Sequence, residues 1–388
     1  MTTPQLSTPA CSAPEQRIPL FDPQAQYQRL QEAIDARVQA VMAHGRYVNG
    51  PEVSELETAL CDVTGAPACI TCANGTDALI MSLMAQDIGP GDAVFVPAFT
   101  YVATAGAVRL AGATPVFCDV LRETANLDPQ DLARQVNRVR DTGALRPRAV
   151  IPVDLYGLPA DYDAVKAVAA ENHLSVIADA AQAMGAARGG TPVGALATVT
   201  TVSFFPTKPL ACAGDGGAIL TEDLDFADRC RRMRTHGTDA TRTAVDVGMN
   251  NRLDTLQAAI LLAKLPAMAS EREHREQLAR AYDDALDGVV ETAPRQPGCD
   301  SAWALYTIKS NRRDEIRASL AAADIDAGVY YSLPVHLHPA YSAFGEGRGS
   351  LPVSERLADE VLSLPLTADM TANQVTRIAD VVKATVVS

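Results

Sequence analysis

Between residues 68 and 221, short apolar runs alternate with segments whose apolar residues recur at helical spacing. The runs 68–71, 93–96 and 149–153 precede helices expected over 76–84, 100–111 and 162–171, and further runs lie at 115–118 and 174–178. Strands that are apolar throughout need cover on both faces, so this alternation specifies an α/β sheet with helices on either side. The loops Gly89-Pro90-Gly91-Asp92 and 185–190 carry matching turn chemistry. Upstream, 18–22 reads as extended and 24–42 as a helix, and Pro51 opens a second helix where its missing N–H costs nothing.

After the runs 199–205 and 218–221 the pattern changes. Helix dominates from 253 to 286, followed by a smaller α+β region: a strand over 304–309, a helix over 312–323, a strand over 328–331 and two more helices. The expected organisation is a disordered lead over 1–16, a large α/β domain over 17–290 and a small C-terminal α+β domain over 291–388. The change falls within 287–300, where Gly, Pro and polar residues accumulate.

Charge and composition narrow the function. The 388 residues carry 33 Lys+Arg against 47 Asp+Glu, a net charge of −14 that argues against nucleic acid as the main partner. Such a balance still allows a small anion held by a few local donors. No apolar run approaches the roughly 20 residues of a membrane span, and 1–16 has neither the basic start nor the apolar stretch of a signal peptide. Eight cysteines are too sparse for a disulfide scaffold. Cys69 and Cys72 form a CxxC without the second pair a zinc site needs, on a strand-like run rather than at a helix start, so no metal is expected. The expected address is the cytoplasm.

Fingerprints for a P-loop, a Rossmann dinucleotide site, an HExxH metallopeptidase and a GxSxG hydrolase are absent. Four segments remain, each with a bland alternative. Asn74-Gly75-Thr76-Asp77 at a strand-to-helix junction offers N–H groups to a phosphate, or is an ordinary helix cap. Asp179, with Gln182, ends an apolar run where α/β sheets present ligand-facing groups, or caps a loop. Lys208 lies between Phe204-Phe205-Pro206 and the Gly-rich 214–217; it is a candidate amine nucleophile, or one more structural lysine. Asn250-Asn251-Arg252 precedes a helix and reads most simply as its start. Together, an amine for an aldehyde, an acid for a pyridinium nitrogen and a helix turn for a phosphate are the three needs of pyridoxal 5′-phosphate.

These segments, with the stretch Phe99-Thr100-Tyr101-Val102-Ala103-Thr104-Ala105, resemble the DegT/DnrJ/EryC1/StrS sugar aminotransferases from about residue 18 to the C-terminus. The resemblance implies the fold type I architecture of pyridoxal-phosphate enzymes, with a large mixed-sheet α/β domain, a small α+β domain and a homodimer sharing its active sites. It implies Lys208 as the Schiff-base lysine, Asp179 on the pyridine nitrogen, Gln182 on the ring hydroxyl and Tyr101 stacked on the ring. Gly75, Thr76 and Ser203 would bind the phosphate, joined by Asn250 of the second subunit, and the cofactor would alternate with pyridoxamine 5′-phosphate. A lysine at position 208, where sugar-dehydrating relatives carry histidine, implies transamination.

Cys72-Ala-Asn-Gly-Thr-Asp-Ala-Leu, Gly-Asp-Gly-Gly-Ala-Ile and Asn251-Arg-Leu-Asp-Thr-Leu-Gln are similar to the branch that aminates the 3-keto group of a UDP-2-acetamido-2-deoxy-hexuluronic acid with L-glutamate, for surface polysaccharide such as O-antigen. Tyr331 and His336 match the substrate loop of 3-keto-sugar transaminases, though not every uronate enzyme shares His336, and Arg252 is a candidate partner for the sugar carboxylate across the dimer. A dTDP-3-keto-6-deoxyhexose is the alternative acceptor, and a non-catalytic regulatory protein on the same fold is the alternative of a different class.

Overall fold

In a computed structural model, which describes residues 17–387, the alternating runs become neighbouring strands of one sheet. The expected lead over 1–16 lies outside the described residues. The first half of the chain runs α1 (Pro23–His44), α2 (Pro51–Thr64), β1 (Ala68–Cys72), α3 (Gly75–Met84), β2 (Asp92–Pro97), α4 (Val102–Leu110), β3 (Thr114–Cys118), α5 (Pro129–Thr142), β4 (Arg146–Val150), α6 (Tyr162–Asn172) and β5 (Ser175–Asp179). Next come two short strands, β6 (Ala187–Arg188) and β7 (Thr191–Pro192), then β8 (Val199–Ser203), β9 (Gly217–Thr221), α7 (Leu224–Met233), α8 (Thr255–Lys264) and α9 (Met268–Leu286). The chain closes with β10 (Cys299–Asp300), β11 (Tyr306–Lys309), α10 (Arg313–Ala322), α11 (Pro352–Glu360), β12 (Val361–Leu364) and α12 (Ala372–Val387).

Seven strands form the main sheet in the order β1-β9-β8-β5-β4-β2-β3. Strand β9 runs antiparallel to β1 and β8, and the other pairings are parallel, so the sheet is mixed. Side chains alternate across it. Cys69, Phe95 and Val202 enter a core shared with α2, α5 and α8, whereas Ile70, Val94 and Ile177 enter a separate core under α3, α4 and α7. Both faces are therefore dry, which is why the strands read as unbroken apolar runs. A third core gathers Tyr306 and Leu364 of the β11–β12 ribbon with Tyr282 of α9, Leu320 of α10, Ile378 of α12 and Ile18. Among the described residues no helix is long and apolar enough to cross a membrane.

Two expectations change. The stretch 328–331 is not a strand: Gly328 exchanges backbone bonds with Ser363 and the chain then turns away. The partner of β11 is β12, over residues without a distinctive strand signal of their own. The expected helical segments over 253–286 are α8 and α9, joined by a 3-10 turn, Leu265–Ala267, where Pro266 cannot donate to the helix ladder.

Candidate active site

Strands β4, β5 and β8 run parallel, so their carboxyl ends open on one side of the sheet, where such folds bind ligands. Asp179 is the last residue of β5 and Ser203 the last of β8. Asp179 is buried, its Oδ2 accepting a proton from Thr104 Oγ1 at 2.8 Å and its Oδ1 accepting from the Ala181 N–H at 3.2 Å. Burial pushes its carboxyl above the usual range, while these two donors and the Lys208 cation pull it back.

Lys208 follows β8 on a tight turn in which its N–H donates to the Phe205 carbonyl at 2.9 Å. Desolvation lowers the pKa of its amine, and the charge of Asp179 opposes that shift. An acid and an amine 29 positions apart therefore act on each other's charge in a partly dry site.

Helix α3 begins beside them. Asn74 caps it, its side-chain oxygen accepting from the Asp77 N–H at 2.8 Å. The N–H groups of Gly75 and Thr76, at the helix start, have no acceptor within the helix. A Cβ on Gly75 would stand 2.8 Å from Ser203 Cβ, so glycine is what lets the helix start approach the end of β8. Free amides, the Ser203 hydroxyl and the positive end of α3 make an anion cradle that suits a phosphate. With Asp179 and Lys208 beside it, the donor set fits pyridoxal phosphate.

Gln182 is buried next to Asp179, its Oε1 accepting from the Tyr156 N–H at 2.6 Å and its Nε2 donating to the Tyr331 hydroxyl at 3.4 Å. The Tyr331 ring lies 6.1 Å from that of Tyr101 and 6.2 Å from Phe99. Tyr101 stands at the start of α4 and is 58% exposed, leaving its ring free to lie against a bound group.

Three further expected residues are His336, Asn250 and Arg252, the last two expected to serve the neighbouring subunit. His336 is 1% exposed and turned inward, with Nε2 at 3.3 Å from Glu355 Oε1 and its ring beside Phe117. Its side chain is enclosed by the interior, where Glu355 is its hydrogen-bond partner. Asn250 is exposed and pairs through its backbone with Thr235. Arg252 is half-buried and has no ionic partner among the described residues.

Two residues escaped the sequence reading. Thr104 lies in the quoted 99–105 stretch, but only the packing of α4 on β5 turns its hydroxyl to Asp179. Asn251, fully buried, accepts from the Ala73 N–H at 2.9 Å and so braces the strand leading into α3. Its neighbour Asn250 had drawn the attention instead.

The sequence model of the DegT/DnrJ/EryC1/StrS aminotransferase family matches residues 28–383. The UDP-2-acetamido-2-deoxy-3-oxo-D-glucuronate aminotransferase of Pseudomonas aeruginosa is 45% identical over 350 residues, 90% of this chain and 95% of that protein. Among solved structures, a DegT DnrJ EryC1 StrS aminotransferase from Brucella abortus superposes with a TM-score of 0.93 at 43% identity, covering 95% of this chain and 99% of that one. NtdA from Bacillus subtilis, solved with bound cofactor PMP, superposes with a TM-score of 0.84 at 27% identity, covering 95% of this chain and 83% of that one.

Proposed function

This chain belongs to the DegT/DnrJ/EryC1/StrS aminotransferase family, and we propose that it aminates the 3-keto group of a UDP-linked 2-acetamido-2-deoxy-hexuluronic acid with nitrogen from L-glutamate. The observation that carries this reading is the coupled pair Asp179 and Lys208 beside the Gly75–Ser203 cradle. The acceptor is supported by the 45% identity to the Pseudomonas aeruginosa aminotransferase and by Arg252, which has no ionic partner among the described residues and suits a sugar carboxylate. Surface polysaccharide, O-antigen included, is the destination we propose for the product.

Pyridoxal phosphate supplies an electron-accepting ring when bound. Gly75, Thr76 and Ser203 would hold its phosphate, Asp179 its ring nitrogen, Gln182 its ring hydroxyl and Tyr101 its face. Burial raises the pKa of Asp179, and Thr104, the Ala181 amide and Lys208 oppose that rise by favouring the ionised form, which would hold a proton on that nitrogen. Burial lowers the pKa of Lys208 against the pull of Asp179, which favours the free amine that would take a proton from the substrate carbon and return it. Water is kept from Asp179 by the buried Thr104 and Gln182.

A second copy of the chain completes the site in this reading, bringing Asn250 and Arg252 to its neighbour. Phe205, close to Lys208, is 48% exposed, and Val247 on the loop before Asn250 is 82% exposed; apolar surface of this kind favours a covered face. The domain division at about residue 290 and a cytoplasmic address belong to the same proposal, the latter supported by seven free cysteines among the described residues.

The test is the visible absorption of enzyme loaded with pyridoxal phosphate. L-glutamate and, in reverse, the UDP-linked 3-amino uronic acid should each bleach the band, and Lys208→Ala should abolish both responses. Bleaching by glutamate alone would remove the uronate, and a band that neither compound changes would remove the aminotransferase reading.

A further inference from the structure

Tyr156 lies in the tight loop after β4, buried, with a φ of 61° that an aromatic residue adopts only under constraint. The constraints are visible on every side. Asp154 Oδ1 accepts from the Ala160 N–H at 2.8 Å and from the Tyr162 hydroxyl at 2.9 Å, anchoring the front of the loop. The Tyr156 and Gly157 carbonyls accept from the amides of Ala304 and Ala302 at 3.0 and 2.9 Å. A Cβ on Gly157 would meet the Trp303 nitrogen at 2.9 Å and the Gln182 carbonyl oxygen at 3.0 Å.

From this position Tyr156 reaches two groups of the site. Its N–H donates to Gln182 Oε1 at 2.6 Å, and its hydroxyl donates to the backbone carbonyl of Tyr330. A backbone N–H can only donate, so the amide oxygen of Gln182 must face it, and the amide nitrogen must point the other way. That nitrogen can also only donate, so the Tyr331 oxygen at 3.4 Å must accept. The one hydroxyl proton of Tyr331 is thereby left pointing away from Gln182.

We infer that Tyr156 is a positioning residue for the acceptor sugar: its N–H orients Gln182 and through it the hydroxyl of Tyr331, and its own hydroxyl ties down the 330–331 segment. Tyr331 is thus a hydrogen-bond donor to an oxygen of the sugar, not an acceptor. This rests on the proposed nucleotide-sugar acceptor, of which Tyr331, beside Gln182 and Tyr101, is a proposed contact.

Tyr156→Phe keeps the ring and the N–H and removes only the tether. In the loaded enzyme the KM for the UDP-linked amino sugar should rise roughly tenfold, the size expected for one lost hydrogen bond, while the rate of bleaching by L-glutamate stays within about twofold. Backbone amides of residues 330–332 should also exchange faster with solvent. Equal losses in both half-reactions together with a lower Tm, or no change in sugar KM and exchange, would overturn the inference. If glutamate bleaches the wild-type band and no UDP-linked amino sugar does, the proposed acceptor falls and exchange alone decides. Faster exchange at 330–332 then sustains the tether, and unchanged exchange overturns it.

Discussion

Thr104 on α4 donates its hydroxyl proton across 2.8 Å to Oδ2 of Asp179 at the end of β5. A carboxylate only accepts, so the Thr104 proton is committed, and Thr100, 3.2 Å from Thr104, must be the donor in that second contact. Burial raises the pKa of this acid, and a short relay from the start of α4 opposes that rise by favouring the charged form.

Thr104→Val should break that relay while preserving shape. Loss of a donor to the charged form raises the pKa of Asp179, so the acidic limb of the kcat/KM profile moves to higher pH. Turnover at neutral pH should fall roughly tenfold. A profile that keeps its limb while the rate falls would assign Thr104 to packing alone.

Gly75→Ala places a methyl 2.8 Å from Ser203 Cβ, in backbone that has no flexible end to yield. The helix start must withdraw from β8, and the cradle widens. Affinity for pyridoxal phosphate, followed by absorbance on titration into apoenzyme, should drop by at least roughly tenfold, with far-UV circular dichroism unchanged. Wild-type affinity would show that the cradle does not bind the phosphate.

Asp154 is fully buried, and desolvation pushes its carboxyl up to about 7, against roughly 3.9 in an unfolded chain. Between those values the folded chain binds more protons than the unfolded one, so this group's contribution lowers stability as pH rises from about 4 to about 7 and then levels off. Asp154→Asn should flatten that slope in a series of Tm measurements across the window. An unchanged slope would trace it to other groups.

Arg252→Ala should raise the KM for a UDP-linked uronic acid substrate at least about tenfold more than for its neutral hexose counterpart, because a charge-assisted pair to the carboxylate is lost only in the first. Steady-state kinetics with both substrates would show it, and equal losses would leave Arg252 as a brace of its own loop.

His336 is enclosed, with Glu355 as its partner. His336→Ala should cost about 1–3 kcal/mol of stability by leaving a cavity beside Phe117 and taking one partner from Glu355, which keeps the Gly349 amide, read from denaturant unfolding. The KM for the nucleotide sugar should stay within about twofold. A selective rise in that KM at unchanged stability would return His336 to the substrate site.

Much of the molecule was legible in its residues because the controlling physics is local. A strand covered on both faces must be apolar throughout, so β1, β2 and β5 announced themselves. Asn74, a capping residue, and Gly75, a residue without a Cβ, marked the turn into α3. The strand β12 was not legible, because Val361–Leu364 is short and follows α11 directly, and pairing with β11 rather than pattern makes it extended. The surroundings of His336 were not legible either: the resemblance offers it as a substrate contact, and only the packing sets its ring beside Phe117 and Glu355.

The sequence by itself determined the α/β class, the chemistry on offer at Asp179, Lys208 and Gly75, and the family, since these depend on residue type and short-range order along the chain. Only the tertiary structure decided which groups hold that chemistry in place. Thr104 meets Asp179 from 75 positions away, and Tyr156 meets Gln182 and Tyr330 from 26 and 174 positions away. Hydrogen bonds act over about 3 Å and carry no trace in sequence spacing, so their partners exist only once the strands and loops have been brought together.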